Sequence, residues 1–294
     1  MVNQTIEQLL QEAIDQSMAQ TQESRELADD VSGLIGDIRN EVAQAVQRTD
    51  EAIDDVNAAI PAAINTKMNQ TLHVDPVNGD DTNDGLSIST SVRTIDAAVA
   101  LIPEFGGARL EILGDIGYGS QLLIKNKHIT MDLNGHTFTQ LTSPSIGTFL
   151  LDGDSRFIFS AYSGTGGKVV TALLDANCPN ATDDTALFKR NYLSSIRVAF
   201  MYVDLELGDQ AIGANALGAS GIAEFLFSHA EITINEATIT PLIFRTNKRH
   251  LLFTINITTL PGGINVKDLV SGVTYYADGT PINILSSNDF TETI

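Results

Sequence analysis

The stretch HVDPVNGDDTNDGLSISTSVRTIDAAVALIP, His73 to Pro103, separates two sequence grammars. Its first half crowds Asp75, Gly79, Asp80, Asp81, Asn83, Asp84 and Gly85 into a turn-forming run. Short polar side chains hydrogen-bond the nearby backbone, and glycine tolerates left-handed dihedrals. In its second half Ile95, Ala98, Val99 and Ile102 recur three and four apart. That spacing predicts a short amphipathic helix over Ser91–Leu101 with those residues as its buried stripe.

Upstream, the residues from Ile6 to Gln70 are rich in Ala, Gln, Glu and Asp, with Gly33, Gly36 and Pro61 the exceptions to helical composition. Val46, Ile53 and Ile60 fall at one heptad position, and Val42, Thr49, Val56 and Ala63 at the other. Alternation of four and three residues makes a coiled-coil seam, narrower than the apolar face of an ordinary globular helix. The β-branched residues at both positions favour a trimer over the dimer pattern of a branched residue followed by leucine. The best seam runs from about Ile35 to Ile64. Earlier positions pass from Ile6, Leu10 and Ala13 to polar Ser17, Thr21 and Ser24, so this segment is read as docking on a partner, with a hinge at Gly33 and Gly36. About 60 helical residues at ~1.5 Å each would span ~90 Å, longer than one globular domain needs.

Downstream of Leu72 the composition shifts to Thr, Asn, Gly, Asp, Val, Ile and Leu in short alternations, which predicts strands. Expected strands are Arg109–Leu113, Gln121–Ile124, His128–Leu133, Arg156–Ser160, Ser195–Met201, Glu231–Ile234, Leu251–Ile257 and Gly263–Val266. The run QLLIKNKHITMDLNGHTFTQ packs three of them together, Leu122–Ile124, Ile129–Leu133 and Thr137–Thr139, joined by Lys125–His128 and by Asn134–Gly135. A β-solenoid, a sandwich and a meander all fit that pattern. The reading gives two domains: 1–70, a helical stalk, and 71–294, a β body with a helix near 91–102.

The residues His73 to Pro103 resemble the entry to right-handed parallel β-helices of the pectate-lyase-like superfamily, especially phage tail spikes and fibres. Val74, Asp75, Gly79, Asp81, Asn83, Asp84, Gly85, Thr94 and Ala97–Ala98 match. His73 replaces the family's aromatic residue and Val92 its proline. The resemblance implies a mainly β fold, a β-helical body whose open end is capped by the short helix. Joined to a coiled coil, it implies the plan of a homotrimeric phage fibre.

The formal charge of −20 is spread along the chain, with 13 Asp and Glu against 4 Lys and Arg up to Gln70. Such a surface repels phosphate backbones and anionic lipids, so neither nucleic acid nor membrane insertion is expected. High salt or divalent cations should be tolerated or preferred by a trimer of this charge. Cys178 is the sole cysteine and leaves no intrachain disulfide. The start MVNQTIEQLLQEAIDQ lacks the pattern of a secretion signal, and no segment is apolar enough to span a bilayer, so synthesis in a cytoplasm is expected.

Asp80, Thr82, Asp84 and Gly85 imitate the start of a calcium loop, but the twelfth place is Ser91 where glutamate belongs. The preferred reading is a turn whose carboxylates bond their own backbone, with calcium at Asp80–Asp84 the weaker alternative and no other cofactor. Asp132, Asp152, Asp154, Asp175, Asp183, Asp184, Asp204, Glu206 and Glu224 offer carboxylates for glycoside hydrolysis or lyase chemistry, yet no spacing singles out a pair. Gly153 makes a turn between Asp152 and Asp154. His73, His128, His136, His229 and His250 lack metal-binding spacing. Gly164–Lys168 is a turn without the P-loop spacing, and Gly218–Gly221 does not fit a nucleophile elbow. Tyr275 and Tyr276 could offer a small aromatic platform. The basic island Arg245–His250 is read as a solvated turn before an anionic-glycan contact.

The expected function is a bacteriophage virion fibre or spike that binds a host surface glycan or protein and joins other virion proteins through its amino-terminal helix. A depolymerase of surface polysaccharide and a capsid or collar spike without receptor specificity are the alternatives. No catalytic or metal-ligating residue is assigned.

Overall fold

The three short strands expected within QLLIKNKHITMDLNGHTFTQ form, but each enters a different sheet. The computed structural model describes residues 5–141, 148–161, 166–173, 186–190, 194–215, 223–234, 243–245, 251–256 and 259–286. The chain divides into two compact units, Met1–Ile64 and Asn65–Ile294.

Helix α1 (Ile6–Met68) is 63 residues long and unbroken. It continues through Gly33 and Gly36, so the expected hinge is not there: a glycine costs a helix only about 1 kcal/mol against alanine, too little to interrupt a run this long. No residue from Ile6 to Asn57 is buried. Among the described residues no helix is long and apolar enough to cross a membrane.

Strand β1 (Asn69–Val74) opens the second unit and is followed by the Asp- and Gly-rich loop and helix α2 (Ile95–Leu101). This helix is shorter than the expected Ser91–Leu101. Thr94 caps it, its hydroxyl accepting the Ala97 amide at 3.2 Å, and Val92 instead forms a parallel bridge with Val74. The stripe Ile95, Ala98, Val99 and Ile102 is buried as expected.

Five circuits through three sheets follow. They are β2 (Gly107–Ile112), β3 (Ile116–Tyr118) and β4 (Leu122–Lys125); β5 (His128–Asp132), β6 (Thr137–Gln140) and β7 (Phe149–Asp152); β8 (Asp154–Ser160), β9 (Lys168–Val170) and β10 (Ala186–Arg190). The fourth is β11 (Ser195–Met201), β12 (Asp204–Leu207) and β13 (Ala211–Asn215), and the fifth β14 (Ala223–Ser228), β15 (Ile232–Ile234) and β16 (Phe244–Arg245). Strands β17 (Leu251–Asn256), β18 (Val270–Ser271) and β19 (Ile284–Ser286) complete the described part. The sheets run β1-β2-β5-β8-β11-β14-β17-β19, β4-β7-β10-β13-β16-β18 and β3-β6-β9-β12-β15. All pairing between these strands is parallel, an arrangement compatible with a β-helix. Asn134–Gly135 is therefore a corner between two sheets and not a hairpin turn.

The expected strand segments coincide with strands except Gly263–Val266. There Gly263 takes φ 83°, Ile264 N–H donates to Pro261, and Val266–Leu269 is a 3-10 turn. The corner at Gly153, with φ 65°, is so tight that a Cβ would meet Asn126 Oδ1 at 1.9 Å. It sends Asp152 to one sheet and Asp154 to another.

Register stacks the core. Phe159, Phe200 and Phe227 occupy matching positions on β8, β11 and β14, with ring centroids 5.4 and 5.1 Å apart. Phe157, Phe188 and Phe149 pack beside them, all fully buried. Gly213 faces the same interior: a Cβ there would lie 2.5 Å from the rings of Phe225 and Phe244. Replacing Phe200 by Ala should cost about 3–5 kcal/mol, read as a lowered midpoint of denaturant unfolding, because it opens a cavity in the middle of the stack. Gly213→Val should be at least as damaging by the same measurement, through overpacking.

Candidate functional site

The seam residues lie on α1 at matching exposure: Val42 56%, Val46 54%, Ile53 51%, Val56 54% and Ile60 51%. Thr49 donates its hydroxyl to the Ala45 carbonyl at 2.9 Å, which leaves its methyl as the group it can offer a partner helix. The Ala63 side chain lies outside the described residues. The four-three alternation also extends further back than expected, through Leu27, Val31, Leu34 and Ile38, all exposed apolar side chains. Three consecutive steps of four, Leu34 to Ile38 to Val42 to Val46, join this stretch to the later seam. Such an insertion, a stutter, locally unwinds a coiled coil and hides the continuity from a search for strict sevens.

In the Asp-rich loop the carboxylates bind the loop itself. Asp75 accepts the amides of Val77 and Asn78, both at 2.9 Å. Asp80 accepts the amide and hydroxyl of Thr82. Asp81 reaches across to the amides of Arg93 and Thr94, both at 2.8 Å. Asp84 accepts the Leu86 amide and the Thr90 hydroxyl. So held, the loop offers backbone partners to the free edge of β1: Gly85 C=O to His73 N–H, and Val92 C=O to Asp75 N–H. Its oxygens are employed in building the end of the body. Among the described residues no three His, Cys, Asp or Glu side chains gather to hold a metal ion.

The outer face of the largest sheet carries the most chemistry. Register aligns His128, Arg156, Arg197, Glu224 and Leu252 across β5, β8, β11, β14 and β17. With Asp154, Ser195 and Ile196 they line an open groove of about 430 Å³. Arg197 is paired with Glu224. Arg156 is exposed, and its guanidinium has no partner among the described residues. Sequence reasoning passed over both arginines. Their signal was the shared pattern Arg-Phe-Ile-Phe at Arg156 and Arg-Val-Ala-Phe at Arg197, one repeat position seen twice.

The candidate carboxylates are dispersed. Buried Asp132 pairs with Arg109. Asp152 accepts the Gly153 amide and the Ser194 hydroxyl. Asp204 accepts the Glu231 amide, Glu206 pairs with Lys168 at 3.0 Å, and Glu224 with Arg197. Asp154 alone of this set has no side-chain partner among the described residues. Asp175, Asp183, Asp184, Cys178, His250 and Gly218–Gly221 lie outside the described residues, as does the basic island beyond Arg245. Of Gly164–Lys168, the described part is a corner at Gly166 leading into β9.

The histidines sit apart. His73 contacts the Gly85 carbonyl and Glu111, His136 lies 3.6 Å from Asp115, His128 is in the groove, and His229 stacks on Tyr202. Tyr276 is exposed on a turn, with Tyr275 half-buried beside it.

No family model and no curated protein matches the chain.

The loop carboxylates carry a pH signature. The Asn78 and Val77 amides hold Asp75 below its ordinary value of 3.8, the Thr82 amide and hydroxyl do so for Asp80, and the Thr90 hydroxyl and Leu86 amide for Asp84. A depressed carboxyl value stabilises the fold while the group is ionised, and that contribution disappears as pH falls through the folded-state value. Hydrogen-exchange protection factors of the Val77, Asn78, Thr82 and Leu86 amides should hold between about pH 7 and about pH 5 and fall below about pH 4.

Proposed function

We propose that the chain is a fibrous oligomer, a homotrimer with a coiled-coil stalk and a right-handed parallel β-helix as its body. The hand follows from the preference of parallel crossovers for right-handed connection. In particular, it is a bacteriophage virion fibre or spike, made in the host cytoplasm, that attaches the particle to a surface glycan and joins the virion through the stalk.

The observation that carries this reading is the half-exposed apolar seam on α1. Helices in proteins draw most of their stability from packing an apolar face, no residue of α1 from Ile6 to Asn57 is buried, and a seam of branched aliphatics would be removed from water when three copies share it. Stacked parallel sheets support the fibre, since such a body grows along one axis and presents long outer faces. The groove at Arg156 supports glycan binding. Its unpaired guanidinium, beside Ser195 and His128, suits a carboxylate- or phosphate-bearing sugar, and a planar fork binds such an anion with two parallel hydrogen bonds.

A depolymerase is the second reading, favoured by Asp154, whose carboxylate lines the same groove as Glu224. It requires two carboxylates acting across one sugar, and Glu224 is tied to Arg197, which supports binding over cleavage.

Light scattering should give a trimer, and Ile53→Asp with Ile60→Asp should dissociate the stalk, because charges buried in the seam cost several kcal/mol each. Free protein should block adsorption of the phage to its host, and Arg156→Ala should weaken that block roughly tenfold, as loss of a charge-assisted contact predicts. Incubation with host capsule or lipopolysaccharide should release neither reducing ends nor unsaturated uronate; release of either would establish the depolymerase.

A further inference from the structure

We propose that the first turns of α1, from Ile6 to Met18, leave the trimer seam and seat one by one in apolar clefts of another virion protein, clefts rimmed by lysine or arginine. The inference rests on the reading of the stalk as a trimer joined to the virion, and it names the chemistry of the surface that receives it.

The heptad register of Leu27, Val31, Leu34 and Ile38 continues back along α1 through Ser24, Gln20, Ser17, Ala13, Leu10 and Ile6. Three successive positions in it, Ser24, Gln20 and Ser17, are polar. Ser24 donates its hydroxyl to the Gln20 carbonyl of its own helix at 2.8 Å. Between Ala13 and Leu27 the seam therefore presents no apolar side chain over about 20 Å of helix. The force that holds three copies together from Leu27 onward ends at that gap.

Beyond the gap the apolar surface returns in a different shape. Leu9 and Ile14 stand at the positions flanking the seam, where a coiled coil carries its interhelical charges. Met18 lies one turn past Ile14. With Ile6, Leu10 and Ala13 they spread over about half of the helix circumference. The later seam is narrow by comparison, since its flanks hold only Ala43, Ala45, Asp50, Ala52, Asn57 and Ala59. Ile6, Leu9, Leu10, Ile14 and Met18 are all exposed. A wide face with anchors three and four apart is the form of a helix laid into a groove, whose walls cover the flanks that a coiled-coil seam leaves in water.

Charge selects the occupant. Glu7 stands along the edge formed by Ile14 and Met18, and Glu12 along the opposite edge beside Leu9. Between Met1 and Ser24 there is no Lys, Arg or His; the four cations before Gln70 are Arg25, Arg39, Arg48 and Lys67. Parallel copies packed through this face would bring Glu7 and Glu12 together with no cation to answer them. Like charges set against each other disfavour that contact, whereas a cleft rimmed by Lys or Arg complements both edges.

Photo-crosslinking in assembled particles tests this, with p-benzoylphenylalanine in place of Ile14 and, in a second variant, in place of Ala45. Adducts from position 45 should join copies of this chain. Adducts from position 14 should join a different virion polypeptide at a segment bearing Lys or Arg. Ile14→Asp should lower the copies per particle at least tenfold, the scale of a buried anchor, while light scattering still reports the trimer. Glu7→Lys combined with Glu12→Lys should lower them severalfold. The inference is overturned if adducts from position 14 join only copies of this chain, or if the joined segment lacks Lys and Arg. It is equally overturned if Ile14→Asp or the double charge reversal enters particles like the wild type, or if Ile14→Asp dissociates the trimer. Any of these failures, with the wild type present on particles and blocking host adsorption, leaves the attachment reading standing. Absence of the wild type from particles removes the virion reading itself.

Discussion

In the body, the backbone amides and carbonyls of a strand find their partners one circuit away, with the next strand in the chain sent to a different sheet. A circuit alone leaves both edges of its strands open, so it is stable only between an earlier and a later circuit. The parallel register is thus the constraint on which the other features depend. Inside, it superimposes Phe159, Phe200 and Phe227 as a stack of rings; outside, the same register superimposes His128, Arg156, Arg197 and Glu224. A strand displaced by one residue would exchange these two sets.

Strand β1, at the end of the largest sheet, has no earlier strand beside it, and the Asp- and Gly-rich loop supplies what is missing. It lays Gly85 and Val92 along the edge of β1, while Ile95, Ala98, Val99 and Ile102 of α2 close the interior. Asp75, Asp80, Asp81 and Asp84 hold the loop in that shape. An acidic cluster that invites a cation in sequence is, in place, the scaffold of a cap. Val92 shows the same logic: its N–H donates to the His73 carbonyl, a bond a proline there could not make.

The proposed attachment function draws on both units. The seam on α1 provides a reason to associate, and the stacked sheets provide a repeating outer face on which charge and aromatic rings can be aligned from successive circuits. The groove at Arg156, and at the following corner the contact of Tyr202 with His229, are built by the same device, residues far apart in the chain brought to the strand spacing.

Much of this was legible in the residues themselves. Heptad spacing marked the later seam, short alternations marked strands such as Arg109–Leu113, His128–Leu133 and Ser195–Met201 but not Phe149–Asp152, Ala186–Arg190 or Ala223–Ser228, and the stripe after Thr94 marked α2, because each signal is a local periodicity set by side chains a few residues apart. Leu27, Val31 and Leu34 escaped because a four-residue insertion breaks the period. Gly263–Val266 misled because its alternation is too short to oppose the turn at Gly263. What only the tertiary structure decided is which strands pair, that Asn134–Gly135 turns a corner instead of closing a hairpin, and that Arg156 meets Arg197 and Tyr202 meets His229. Those outcomes depend on register between circuits of unequal length, carried by backbone hydrogen bonds that are the same for every residue type and so leave little trace in the order of side chains.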